Sequence, residues 1–126
     1  MKISRGTDYA LHALSYLIHQ ENNCPTNVKE LATFLNVSTS YLSKILTQLV
    51  KSGYILSING SKGGYLLPEN WVDITFLDVI SSIEGHQKLI SDSFNHGTEC
   101  KIFSILSDAE NEMNTLLKNR TLKELK

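Results

Sequence analysis

Residues 37–67 read VSTSYLSKILTQLVKSGYILSINGSKGGYLL, and the pattern changes twice along them. Ser38 is a helix-capping residue type. After it, Tyr41, Leu42, Ile45, Leu46, Leu49 and Val50 recur at helical spacing on one side. Ser40, Lys44, Thr47 and Lys51 follow at spacings of four, three and four on the other side, with Ser43 and Gln48 beside them. Gly53 is suited to stop the helix. Two short apolar runs come next, at residues 55–58 and 65–67, and Asn59-Gly60-Ser61-Lys62-Gly63-Gly64 lies between them. A short amphipathic helix that hands over to a hairpin with a glycine-rich tip is the pattern of a helix followed by a β-wing.

Upstream, Ala10, Leu11, Ala13, Leu14, Leu17 and Ile18 predict an amphipathic helix over residues 5–19. Asp8 falls in its first turns, where the helix dipole favours a negative charge. Cys24-Pro25 closes the segment, because the residue before a proline disfavours the α region. Asn27 and Glu30 have the spacing of a capping box. They predict a short second helix over residues 28–35 that buries Val28, Leu31, Ala32 and Leu35. Asn36 suits the left-handed conformation that ends a helix. Ser38 opens the next helix almost at once, so the pair forms a helix-turn-helix.

Downstream, residues 68–73 read as a linker whose single tryptophan, Trp71, packs against the domain. Thr75 and Asp78 predict a capped helix built on Phe76, Leu77, Val79, Ile80 and Ile83 and stopped by Gly85. Residues 86–98 show no period and read as a loop. Thr98 is placed to cap a long helix to residue 119, in which Ile102, Leu106, Ala109, Met113 and Leu116 repeat at four, three, four and three. Phe103, Ile105 and Leu117 widen this stripe beyond a single seam, which predicts a homodimer; packing on its own domain is the simpler alternative. Thr121 and Glu124 offer a last capping box. The expected organisation is residues 1–67 as a winged helix-turn-helix region, 68–98 as linker, short helix and sensor-type loop, and 99–126 as dimerisation helix and short terminal helix. All three make one mainly α domain with a small β-hairpin wing.

The 126 residues suffice for one domain with a real core. No apolar run approaches the ~20 residues that span a bilayer. The amphipathic N-terminus lacks the small-residue cleavage site of a signal peptide. The expected location is the cytoplasm, with no membrane partner. The net charge of −1 is unevenly divided: residues 1–67 hold six Lys/Arg against three Asp/Glu, and residues 68–126 hold six against ten. A basic first half fits a nucleic-acid module, although ordinary solvated charge also produces an asymmetry of this size. The two cysteines, Cys24 and Cys100, form no Cys-x-x-Cys and predict neither a disulfide framework nor a zinc site.

The polar side of the third helix has the chemistry for a duplex. A helix entering the major groove needs small or hydrogen-bonding side chains near its N-terminus and no bulk that blocks approach. Ser38, Thr39, Ser40 and Ser43 meet that need, and Lys44 adds charge. In the hairpin, Lys62 places a cation where the negative potential of a minor groove attracts it, and the glycines let a backbone come close to a phosphate or a groove wall. A solvated face and a plain hairpin loop are the bland alternatives. The two devices in succession favour double-stranded DNA, because together they grip a duplex.

Six stretches carry a wider likeness: MKIS and YALHAL at the start, SYLSKIL in the third helix, SINGSKGGY in the wing, ITFLDVISSIEG after it, and RTLKEL at the end. In this order they cover nearly the whole chain, and it resembles the Rrf-two family of winged-helix bacterial transcription regulators. The resemblance implies a dimeric DNA-binding regulator, usually a repressor, on a palindromic operator. It implies DNA contacts at Lys2 and Arg5, at Ser40, Tyr41, Ser43 and Lys44, and at Asn59, Gly60, Ser61, Lys62, Gly63 and Gly64. Members often carry an arginine where this chain has Asn59, a contact that Lys62 partly replaces. Ser43 falls where several members have a longer acidic or amide side chain, so a different operator preference is implied.

The same resemblance bears on cofactors. Cluster-binding members place three cysteines in the loop and at the start of the long helix. Only Cys100 matches that pattern; the two earlier positions hold Lys88 and Phe94. A stable iron–sulfur cluster needs several thiolates, so no cofactor is expected. His86, His96, Glu99 and Cys100 offer the donors of a weaker metal site at most. Some cluster-free members sense oxidants or electrophiles through cysteine. Cys24, in an exposed turn, and Cys100, in the first turn of a helix whose dipole favours a thiolate, are the candidate redox sensors; two inert thiols are the simpler alternative.

A winged helix can also serve as a protein-interaction module without operator-specific binding, and salt dependence separates the two, since phosphate contacts make DNA affinity fall with salt. An enzyme is not expected. The chain shows no nucleophile–base pair, no phosphate loop with its lysine and no carboxylates paired for acid–base work.

Overall fold

The computed structural model describes residues 3–20, 24–85 and 100–126. Side-chain caps start four of its helices. Ser4 Oγ accepts from Thr7 N at 3.3 Å and opens α1, Arg5–Ile18. Asn27 Oδ1 accepts from Glu30 N at 2.8 Å and opens α2, Val28–Leu35. Ser38 Oγ accepts from Tyr41 N at 3.2 Å and opens α3, Thr39–Lys51. Thr75 Oγ1 accepts from Asp78 N at 3.0 Å and opens α4, Phe76–Glu84. Each cap satisfies an N–H that the helix leaves without a partner and stabilises it by about 1 kcal/mol. The box at Thr75 is complete, since Thr75 N donates back to Asp78 Oδ2 at 2.9 Å. The box expected at Asn27 is only half made. The Glu30 carboxylate accepts from the Tyr16 hydroxyl at 2.6 Å instead, because α1 packs against α2 and brings that donor within reach.

The turn of the helix-turn-helix is closed by Asn36, in the left-handed region at φ 57 and ψ 49. Val37 N reaches back to Ala32 O at 3.0 Å. The end of α3 repeats the device: Gly53 has φ +81, and Tyr54 N donates to Leu49 O at 2.9 Å. The backbone bonds thus satisfy carbonyls that a helix end leaves open.

The chain then enters the hairpin, β1 (Leu56–Ile58) antiparallel to β2 (Gly64–Leu66), with Leu56 opposite Leu66, Ser57 opposite Tyr65 and Ile58 opposite Gly64. The ladder is shifted by one residue from the sequence expectation, because Ile55 goes to the core, 1% exposed, and Gly64 joins the pairing. The other edge of β2 is paired as well. Thr26 N donates to Tyr65 O at 3.0 Å and Tyr65 N donates to Thr26 O at 2.8 Å. This bridge pins the wing to the connection between α1 and α2. A Cβ on Gly64 would come within 2.5 Å of the Thr26 backbone, and one on Gly63 would overlap the Ile58 carbonyl oxygen. The close approach that these glycines allow is therefore to the protein's own backbone.

Ala10, Ala13, Leu14 and Leu17 of α1 meet Leu31 and Ala32 of α2 and Leu42, Ile45, Leu46 and Leu49 of α3 in one core, completed by Ile55, Ile74, Val79 and Leu122. Val28, Leu35 and Val50, expected inside, are half-buried at its edge. α2 has only eight residues, and only the centre of its apolar face reaches full burial. Trp71 sits in a 3-10 turn, Trp71–Asp73, and packs against the core as the sequence suggests.

α5, Lys101–Asn119, follows Cys100, which stands at the N-cap position just outside the helix and makes no side-chain cap. That corrects the expected place of Cys100 in the first turn. Thr98, the loop before it with His86, Lys88, Phe94, His96 and Glu99, and Lys2 at the N-terminus lie outside the described residues. α5 packs along α4 but fully buries none of its side chains. The chain then returns to the body. Phe76 N donates to Arg120 O and Leu122 N donates to Ile74 O, both at 2.9 Å. Leu122 is wholly buried. The terminal 3-10 turn, Leu122–Leu125, thus belongs to the packing of α1 as well as to the end of α5. Among the described residues, no helix is long and apolar enough to cross a membrane.

Candidate nucleic-acid interface

The start of α3 stands clear of the body. Ser38, Thr39, Ser40 and Lys44 are exposed, and Ser43 is half-buried. Tyr41, expected on the apolar side, is 40% exposed. Its ring meets Tyr9 of α1 edge to face, with centroids 5.9 Å apart and planes at 85°. Such aromatic pairs contribute about 1 kcal/mol beyond simple burial. The contact braces the front of α3 against α1.

Arg5, exposed, is the first residue of α1. Its position depends on Glu84 at the end of α4. Glu84 Oε1 accepts from Ser4 N at 2.9 Å and from Thr7 Oγ1 at 2.6 Å. Hydrogen bonds from Ser4 and Thr7 hold the Glu84 carboxyl below the usual glutamate range. Between this end of α1 and α3 runs an open groove of about 610 Å³. Arg5, Tyr41, Ser43 and Lys44, four of the expected contact residues, line it together with Thr47, Gln48 and Lys51. Ser38, Thr39, Ser40 and the wing residues lie outside this groove.

In the wing, Asn59, Gly60, Ser61 and Lys62 are exposed, and Gly63 and Gly64 are half-buried against the hairpin and Thr26. The four exposed residues form the tip of the hairpin.

Two features of this face escaped the sequence reading. Glu84 and Ser4 are 80 residues apart, and no local pattern links them. Thr47, Gln48 and Lys51, polar positions of α3 in the sequence, prove to line the groove as well. A signal for them does exist: no Asp or Glu occurs between Glu30 and Glu69.

The thiols lie elsewhere. Cys24 is exposed and lines a separate cleft of about 380 Å³ with Thr26, Tyr65 and Trp71. Cys100 is half-buried at the start of α5, and both are free thiols. Among the described residues, no three of His, Cys, Asp and Glu are grouped to hold a metal.

A helix-turn-helix, a pinned two-stranded wing and an acid-free third helix define a winged-helix DNA-binding protein. Residues 3–126 match the Rrf2 (Rrf-two) family, described as iron-dependent transcriptional regulators. The chain belongs to that family, and it is a DNA-binding transcriptional regulator, not an enzyme. It is 32% identical to the HTH-type transcriptional regulator NsrR of Halalkalibacterium halodurans over 132 residues, covering 99% of this chain and 90% of that protein. Its fold superposes on CymR, the global cysteine regulator of Bacillus subtilis, with a TM-score of 0.87 at 27% identity, over 99% of this chain and 95% of that one. The oxidised form of Staphylococcus aureus CymR is similar with a TM-score of 0.81 at 29% identity, over 99% and 95% of the two chains. Against the iron in the family description stands the donor set of this chain. It has two cysteines in all, whereas an all-thiolate iron–sulfur cluster takes four.

Proposed function

We propose that the protein is a cytoplasmic homodimeric repressor that binds a palindromic double-stranded operator and works without an iron–sulfur cluster. The outer face of α5 carries this reading. Ile102 is 72% exposed, Leu116 56% and Leu106 40%. Ala109 is exposed with them, and Met113 is half-buried beside them. Apolar surface of this kind gains about 25 cal/mol per Å² when covered, and a second copy presents the same stripe to it. A two-fold pair sets two α3 helices at half-sites about one helical turn of DNA apart.

In this reading residues 1–67 bind DNA, 68–98 carry the linker helix and signal loop, and 99–126 pair the copies. Ser38, Thr39, Ser40, Tyr41, Ser43 and Lys44 face the major groove. Lys2 and Arg5 meet the phosphate backbone, and residues 59–64 meet the neighbouring minor groove. The signal is thiol-reactive, received at Cys24 or Cys100, with a small-molecule ligand as the alternative. The oxidised form described for the staphylococcal relative supports a redox signal.

The test combines sedimentation with selection from random duplexes. Ile102→Asp with Leu116→Asp converts dimer to monomer and weakens operator binding. Lys44→Ala and Lys62→Ala weaken binding and leave the dimer intact. A monomeric wild type overturns the assembly. Both lysine variants binding as the wild type does would overturn the placement of the DNA face.

A further inference from the structure

We infer that the DNA interface continues along α3 to Gln48 and Lys51, with divided roles: Lys51 seats a backbone phosphate and Gln48 reads a base edge. This extends the site by two residues and rests on the DNA-binding reading above.

Lys44, Gln48 and Lys51 are spaced i, i+4 and i+7 on α3, so they form one stripe, and all three are exposed. All three line the 610 Å³ groove whose other wall carries Arg5, and no carboxylate lines it. α3 contains no Asp or Glu, so neither lysine has a partner one helical turn away. Among the described residues neither lysine forms an ion pair. Three like charges around one groove repel one another and attract a polyanion. A sugar–phosphate strand is the polyanion that an Rrf2 regulator meets.

Gln48 differs from its neighbours in what remains available. The Thr47 hydroxyl already donates to Ser43 O at 2.7 Å. The Gln48 backbone carbonyl accepts from Ser52 N at 3.1 Å and from Ser82 Oγ at 3.4 Å, while among the described residues its side-chain carboxamide makes no hydrogen bond. Ser82 also bonds Ser52 Oγ at 2.6 Å, so α4 anchors this end of α3 and fixes where the Gln48 side chain starts. A carboxamide presents a donor beside an acceptor, which matches the N6 and N7 edge of adenine in the major groove. A lysine has no comparable pattern and acts as a point charge.

Wild type, Lys51→Ala, Lys51→Arg and Gln48→Ala, each checked for folding by circular dichroism, are taken through selection from randomised duplexes and through salt titration of affinity for the selected site. Lys51→Ala lowers the slope of log affinity against log salt by about one and leaves the selected sequence unchanged. Lys51→Arg restores the slope. Gln48→Ala keeps the slope and loses roughly tenfold in discrimination at one base pair per half-site. An unchanged slope in Lys51→Ala overturns the phosphate role. An unchanged selected sequence in Gln48→Ala, or a loss spread evenly over all sequences, overturns the base-reading role. A wild type that selects no sequence and shows no salt-dependent duplex binding overturns the DNA-binding reading itself, and the inference with it. A wild type that binds, beside variants that match it, overturns the inference alone.

Discussion

Thr7 and Glu84 stand 77 positions apart in the chain and share a hydrogen bond of 2.6 Å, the Thr7 hydroxyl donating to the carboxylate. Ser4 N donates to the same oxygen at 2.9 Å. The end of α4 therefore holds the start of α1, and with it Arg5, at the edge of the groove beside α3. α4 ends at Glu84, one residue before Gly85 breaks the helix at φ +76.

This clamp gives stability a pH dependence of known sign. The folded protein holds the Glu84 carboxyl below its usual range. Its contribution is complete above the ordinary glutamate pKa and is lost as pH falls through the lowered folded value, since the unfolded chain takes up the proton first. Thermal midpoints measured from about pH 3 to pH 7 should fall more steeply in the wild type than in Glu84→Gln. Parallel curves would show that the charge at Glu84 adds nothing.

The wing should be sensitive to a single methyl group. Gly64→Ala sets a Cβ 2.5 Å from the Thr26 backbone at a φ of +148. Backbone strain and clashes of this kind cost about 1–3 kcal/mol. The Thr26–Tyr65 bridge is the first thing to give, so the Tyr65 amide should exchange with solvent faster in the variant. Protection equal to wild type would mean that the bridge tolerates the side chain.

The terminal turn should matter to the body of the fold. Leu122 is fully buried in the core that α1 and Val79 share. Leu122→Ala should destabilise the protein by about 2–5 kcal/mol in urea unfolding. A loss below ~1 kcal/mol would mean the site collapses around the smaller side chain.

Oxidation tests the signal. Cys24 is exposed and two residues before Thr26, which bridges the wing, whereas Cys100 is half-buried beside α5. Mild peroxide should lower operator affinity in the wild type, and Cys24→Ser or Cys100→Ser should remove the response, identifying the thiol. Affinity that is unchanged on oxidation counts against any thiol switch.

What could be read from the sequence was local. Asn27, Ser38 and Thr75 cap helices because a short oxygen two or three residues from an open N–H needs no help from the rest of the chain. Asn36 and Gly53 stop helices because the left-handed conformation is cheap for those residue types. The polar row of α3 and the hairpin tip followed from spacing alone. What could not be read required contact between distant segments. Glu30 left its expected capping role because Tyr16 of α1 came within reach. Gly63 and Gly64 gained their reason from Ile58 and Thr26. Gln48 and Lys51 joined the groove only when α1 was laid across its other side.

The sequence by itself determined the order of elements, their caps and stops, and the stretch of α3 and wing that presents cations without acids. Those properties follow from residue type and period, which act over one or two helical turns. The tertiary structure decided where the cationic face begins and ends. It did so by bonding Glu84 to Ser4 and Thr7, by bridging Thr26 to Tyr65, and by burying Leu122 in the core. Each of these pairs segments far apart in the chain, so each depends on burial and hydrogen-bond satisfaction in the folded state, which no local pattern encodes.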